Sequence, residues 1–298
     1  MIPLSALIES VGLIGPGFAN WPDAQAILAG RVPYESARTA VPAPASLPSA
    51  ERRRTGTGVK LALAVGHEAV SASGREAASL ATVFSASGGD GQNCHAISET
   101  LASDDRKLSP TRFHNSVHNA PAGYWSIATR AMAPSNVLCA YDGSFAAGLL
   151  ESLCQVAVDG VPTLLIVFDT DYPAPMRDVR PIPDAFGVAL LLSPLQGVGV
   201  GAGAGACACA GTGTGTPMRA GTGTLARIDA RLTDAPPTML AAPEFEQMRR
   251  SNPAARALPL LDALARQRSA NVVLDYLEDV QLQLDITVPN GSSDEATP

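Results

Sequence analysis

Two stretches of this chain are apolar almost without interruption. Leu80-Ala-Thr-Val-Phe-Ser85 and Val161-Pro-Thr-Leu-Leu-Ile-Val-Phe168 consist mainly of strand formers with no polar face, which predicts buried strands, the second of them central in its sheet. A different pattern runs from Ser144 to Asp159. There Ser144, Glu151, Ser152, Gln155 and Asp159 form a narrow polar stripe, while Phe145, Leu149, Leu150, Leu153, Cys154, Val156 and Val158 cover the rest. A helix apolar over most of its circumference is expected inside a core rather than on a surface. Val137 to Ala140 reads as a short apolar strand, and Tyr141-Asp142-Gly143-Ser144 supplies turn residues before the helix begins. Together these form a strand–turn–helix joint.

The flanking pattern extends the alternation. Val59 to Ala72 has helical periodicity through Leu61, Leu63, Val65 and Val70. A Gly88-Gly-Asp-Gly91 turn leads into a helix around Ala96–Ala102. Residues 1–30 open with a strand or loop and a short helix, and residues 40–56 read as an extended surface connection. Ala189–Leu192 and Leu225–Leu232 are expected as strands, and Leu258–Arg266 as a modest amphipathic helix. Val280, Leu282, Leu284 and Ile286 alternate with polar neighbours, the mark of a strand with one wet face. This alternation of strands and helices predicts an α/β layered core.

Gly197 to Thr224 breaks the pattern. Its two-residue units of Gly with Val, Ala, Cys or Thr offer almost no side chain to pack, so it reads as a disordered insert. Residues 289–298 read as a frayed tail.

Composition narrows the function classes. With 298 residues, 46% hydrophobic and 16% charged, the chain has the make-up of a globular protein with a generous interior. Its net charge of −7 leaves no basic footprint for nucleic acid. No apolar run approaches the roughly 20 residues of a membrane span, and no charged leader with a cleavage site opens the sequence, so a cytoplasmic protein is expected. Five cysteines without framework spacing are expected to stay reduced. Cys94-His95 lacks a second ligand pair, Cys207 and Cys209 sit in the insert, and His67-Glu68 begins an H-E-x-x-H pattern that fails at Ser71, so no metal site is expected. Arg52-Arg53-Arg54 reads as a solvated charge cluster, with phosphate binding as the alternative.

Four blocks carry a family resemblance: Ile8-Glu-Ser-Val-Gly-Leu-Ile-Gly-Pro-Gly17, Leu47-Pro-Ser-Ala-Glu-Arg-Arg-Arg54, Ser109-Pro-Thr-Arg-Phe-His-Asn-Ser-Val-His-Asn-Ala-Pro-Ala-Gly-Tyr124 and the joint itself. Together they resemble the N-terminal half of the beta-ketoacyl synthases, most closely the shortened ketosynthase-like, chain length factor-like subunits of aryl-polyene-type pathways. The likeness covers residues 1–195 well and 224–288 loosely. It implies a thiolase-like α/β fold with a complete first half, a reduced second half and layered sheets around a buried central helix. The domains expected are 1–196 as the ketosynthase-like part, 197–224 as the insert and 225–288 as a remnant of strand, helix and strand. A complete condensing enzyme has two repeated halves, and this length leaves room for one and a remnant.

The departures from the family set the functional expectation. Aligned without gaps from Pro134 to Glu151, the catalytic cysteine of active synthases falls on Asp142. A carboxylate is a far weaker nucleophile toward thioesters than a thiolate. Cys139 lies three residues earlier, placed inside the strand by this reading. Active synthases use histidines that follow the nucleophile, yet His67, His95, His114 and His118 all precede Asp142. The chain alone is therefore expected to be inert in condensation, to need no cofactor and to pair with a catalytic ketosynthase subunit. An acyl carrier protein would be met only indirectly, since that partner is itself usually acidic. The family's matching segment implies that Phe113, His114, Ser116, Val117 and His118 border the partner's acyl tunnel. Equally, His114, Asn115, His118 and Asn119 are expected to organise a buried loop by hydrogen bonding. Two other classes stay open: an acyl-transfer or ester-hydrolysing enzyme using Ser144 or Cys139, and a structural binding module. The surroundings of Ser144 miss both glycines of a G-x-S-x-G elbow.

Overall fold

The computed structural model describes residues 4–195 and 223–289. In chain order these form β1 (Leu4–Ile14), α1 (Trp21–Leu28), α2 (Ser49–Arg52), α3 (Thr57–Ser73), β2 (Ala81–Ser85), α4 (Gly91–Ala102), α5 (Pro110–His114) and α6 (Ala120–Thr129). Then follow β3 (Ser135–Leu138), α7 (Ser144–Asp159), β4 (Thr163–Asp169), α8 (Met176–Val179) and β5 (Phe186–Ser193). After the insert come β6 (Ala226–Thr233), α9 (Pro243–Ser251), α10 (Leu258–Ala265), β7 (Ala270–Leu274) and β8 (Gln281–Thr287).

All eight strands join one mixed sheet in the order β3-β2-β4-β5-β1-β6-β8-β7. β2 is parallel to both β3 and β4, and the remaining pairings are antiparallel. Parallel neighbours need long crossovers, supplied by α4–α6 between β2 and β3 and by α7 between β3 and β4. Every residue of β4 and β5 is buried, as their unbroken apolar runs require. The pleat sends Leu165 and Val167 of β4 to one face, with α1, α7, α9 and α10, and Leu164, Ile166 and Phe168 to the other, with α3 and α6. On that second face α3 lies so close to β1 that a methyl group at Gly12 would fall 2.1 Å from the Val65 carbonyl oxygen.

Several expectations change in detail. The layers are helices on either side of a single sheet, since β6, β8 and β7 continue it from β1. β3 spans Ser135–Leu138 instead of Val137–Ala140, which leaves Cys139 outside the strand and exposed. As an edge strand β3 pairs only with β2, and its half-wet residues do not show the apolar signature of its neighbours. α7 has the predicted bounds, but Val158, in its last turn, is 76% exposed. α10 is buried nearly throughout and not modestly amphipathic; Asp262 alone among its eight residues is not buried. Residues 225–288 hold three strands and two helices, adding α9 and β7 to the expected set. The extended connection at 40–56 contains the short α2.

Most of the insert, with Cys207 and Cys209, and the tail after residue 289 lie outside the described residues. Among the described residues no helix is long and apolar enough to cross a membrane.

Candidate functional site

The joint between β3 and α7 is built as a tight, self-supporting turn. Tyr141 sits at φ 48°, a left-handed conformation that is uncommon for a bulky residue. Ser144 holds the turn together: its hydroxyl donates to the Tyr141 carbonyl at 2.7 Å and accepts from the Ala140 amide at 3.0 Å. Ser85 at the end of β2 donates to the Ser144 carbonyl at 2.7 Å. Fully buried and committed in this way, the Ser144 hydroxyl is a structural staple, without a base to activate it.

Asp142 projects from this turn toward two arginines. Arg180 Nη2 donates to its Oδ1 at 2.7 Å and Arg256 Nη2 to its Oδ2 at 3.3 Å. The Arg180 guanidinium also lies 3.7 Å above the Tyr141 ring, a cation–π contact. Beyond Arg256 the charges continue. Asp275 pairs with Arg256 at 3.7 Å and also with Arg249, and Glu246 pairs with Arg249 and Arg250 at 2.7 Å each. The Arg249 guanidinium holds the Glu246 carboxyl down at about 2, against the opposing cost of burial. Beside Asp142 a cleft of about 770 Å³ opens, lined by Arg180, Arg250, Arg256, Glu246, Pro183 and Pro253.

A second polar cluster forms where the parallel strands β2 and β4 end. Asp169 Oδ1 accepts from the Ser87 amide at 2.9 Å and from its hydroxyl at 2.6 Å. Burial pushes the Asp169 carboxyl up to about 6, partly offset by the Ser87 hydrogen bonds. Cys139 Sγ donates to the Ser87 carbonyl at 3.2 Å. Sequence reasoning missed Asp169, Arg180, Arg256 and Asp275. An acid closing an apolar strand was a visible signal for Asp169 alone.

The Phe113–His118 segment divides. Phe113 (66% exposed), His114 and Val117 (54% exposed) line an apolar groove of about 520 Å³ with Tyr124 and Ile127. Ser116 bonds back to its own turn at the Phe113 carbonyl, 2.8 Å away, and His118 turns inward. His118 lines a small pocket of about 30 Å³ with Asp90, Asn115, Asp169 and Tyr172, and burial lowers its pKa. Asn115 does organise the loop, its Nδ2 donating to the Arg54 carbonyl at 2.6 Å and its Oδ1 accepting from Tyr124 at 3.1 Å, but the loop is not buried as expected, since His114 and Asn119 are exposed.

The remaining candidates have local partners. His67 stacks on Trp125 and contacts the Ser46 hydroxyl at 2.9 Å, while Glu68 accepts from the amides of Leu13 and Trp21. His95 pairs with Glu99 at 3.3 Å. Among the described residues no group of three or more His, Cys, Asp or Glu side chains is placed to hold a metal.

The sequence matches the model of the beta-ketoacyl synthase N-terminal domain over residues 20–214. No curated protein matches it. Among solved structures, it is similar to a chain from the complex of the ketosynthase ApeO with its chain length factor ApeC from Xenorhabdus doucetiae. That likeness has a TM-score of 0.67 at 20% identity and covers 94% of this chain and 99% of that one. The ishigamide ketosynthase/chain length factor gives 0.66 at 11% identity, over 95% and 99%. A chain of the AntDE:AntF complex, a type II polyketide synthase carrier protein with its ketosynthase bound to the hexaketide, gives 0.69 at 10%, over 97% and 100%.

Proposed function

Given that the chain belongs to the beta-ketoacyl synthase N-terminal domain family and has a thiolase-like α/β fold, we propose that it is a non-catalytic, chain length factor-like subunit. In this reading it pairs in the cytoplasm with an active beta-ketoacyl synthase, in polyketide, fatty-acid or aryl polyene assembly, and helps to bound that enzyme's acyl tunnel. One observation carries the proposal: the position aligned with the nucleophile is Asp142, with both carboxylate oxygens held by arginines. Acyl transfer needs an electron pair free to attack the thioester carbonyl and donors for the developing oxyanion. An ion-paired carboxylate is a poor nucleophile, and the Ser144 hydroxyl next to it is locked into the turn.

The outer surface supports pairing. Phe113, Val117 and Ile127 expose apolar area around one groove, and Met132, just before the edge strand β3, is 94% exposed. Apolar patches of this kind mark association surfaces, and an edge strand carries unpaired backbone groups. The shape of the groove fits the tunnel-border role implied for Phe113, His114 and Val117. For Ser116 and His118 the geometry favours loop organisation. The carrier protein would dock on the ketosynthase.

The test is co-expression with a type II beta-ketoacyl synthase and its acyl carrier protein. A stable heterodimer whose condensing activity needs both subunits is expected, and the chain alone should neither take up labelled acyl groups nor hydrolyse esters. Acylation of Asp142, Cys139 or Ser144 in the isolated chain would overturn the reading.

A further inference from the structure

The carboxylate of Asp142 does nothing for its own turn. Ser144 and Ser85 supply the hydrogen bonds that hold residues 140–144, while both Asp142 oxygens reach arginines 38 and 114 residues away. Those contacts extend into a chain of alternating charge: Arg180, Asp142, Arg256, Asp275, Arg249, Glu246, Arg250. Arg256 lies in the turn Ala254–Ala257 and Asp275 directly follows β7, so the chain links the head of α7 to two parts of the C-terminal region. The backbone contact beside it is equally close. A methyl group on Gly143 would lie 2.2 Å from the Tyr276 carbonyl oxygen, so residues 275–276 rest directly on the turn.

We propose that Asp142 is a positioning residue, a latch that fastens the C-terminal region over the head of α7. The acid would then stand at this position because it completes the charge chain, not merely because a nucleophile was lost. Each internal member is shared: Arg256 between Asp142 and Asp275, Asp275 between Arg256 and Arg249, and the buried Arg249 between Asp275 and Glu246. Removing one partner from such a chain leaves a half-buried charge short of a counter-ion, so the members are expected to act as a unit. Residues 254–257 and 275–277 then depend on a side chain more than a hundred positions away. The latch belongs to this chain alone, and it stands whether or not a ketosynthase pairs with it.

Amide hydrogen exchange on the isolated full-length chain tests the latch. In Asp142→Asn, exchange at residues 254–257 and 275–277 should rise about tenfold, with the α3 and α6 face unchanged. Asp142→Glu, which keeps the charge, should restore most of the protection. Arg256→Gln should give the same footprint, and the double variant should be no worse than the more severe single. Gly143→Ala offers a route that leaves every charge in place: the added methyl should push residues 275–277 away and reproduce the footprint, even where Asp142→Asn proves insoluble. Wild-type exchange in Asp142→Asn or Arg256→Gln, no rescue by Asp142→Glu, or strictly additive effects of Asp142→Asn and Arg256→Gln would each overturn the latch.

Discussion

Asp169 and Asp142 are both aspartates near the head of α7, and their surroundings set them opposite tasks. Asp142 faces two guanidinium groups at the rim of a cleft, with its side chain 42% exposed. Asp169 is buried at the end of β4, and that burial outweighs the Ser87 hydrogen bonds and the Arg180 charge, so its carboxyl is pushed up to about 6. A folded-state value above the unfolded one means that the folded protein holds the proton more tightly. Stability from this group is therefore complete below about pH 4 and is lost as pH rises toward 6 and beyond. A shift of about two units corresponds to about 3 kcal/mol. Asp169→Asn, which cannot ionise, should thus gain up to about that much relative to wild type between pH 4 and 7. Parallel urea-denaturation profiles for the two proteins across that range would contradict this account.

At the scale of elements, α7 ties sequence pattern to packing most directly. Its bounds follow from the turn residues before Ser144 and from Gly160 after Asp159, which takes the left-handed conformation that ends helices. Leu149 and Leu153 are wholly buried between sheet and helices, while Val158 on the same helix meets solvent. Leu153→Ala should cost about 2–5 kcal/mol and Val158→Ala within about 0.5 kcal/mol, measured by thermal or chemical unfolding. The misread elements have equally physical causes. α9 buries only Phe245 and Met248 as apolar residues and surrounds them with Glu244, Glu246, Arg249 and Arg250, so its helical period is faint in hydrophobicity. β7 is five residues long and partly covered, too short for alternation to declare itself.

For the molecule as a whole, the two ends of the sheet have different neighbours. Along β7 lies the segment that precedes α9, with the Thr238 amide donating to the Val273 carbonyl at 2.8 Å. β3 at the opposite edge has no such cover, and the groove of Phe113, Val117 and Ile127 belongs to the α5–α6 region of the crossover that leads into it. Val117→Glu places a charge on that groove at a side chain that is 54% exposed. The chain itself should then unfold within about 0.5 kcal/mol of wild type, yet co-purification with the proposed ketosynthase partner should fall sharply. Unchanged pairing would argue that the heterodimer uses another surface.

The α/β alternation up to β4, the burial of β4 and β5, the extent of α7 and the wet and dry faces of β8 were legible along the chain. Each follows from the local spacing of apolar residues and from turn chemistry, which act over a few positions. The proposed loss of the nucleophile at Asp142 rests on the aligned motif alone. Tertiary structure alone decided that Arg180 and Arg256 converge on Asp142, that Tyr276 covers Gly143 and that His118 turns inward while Phe113 and Val117 face out. Those outcomes depend on which distant segments a single continuous sheet brings together, and nothing in the spacing of neighbouring residues encodes which opposite charges will meet.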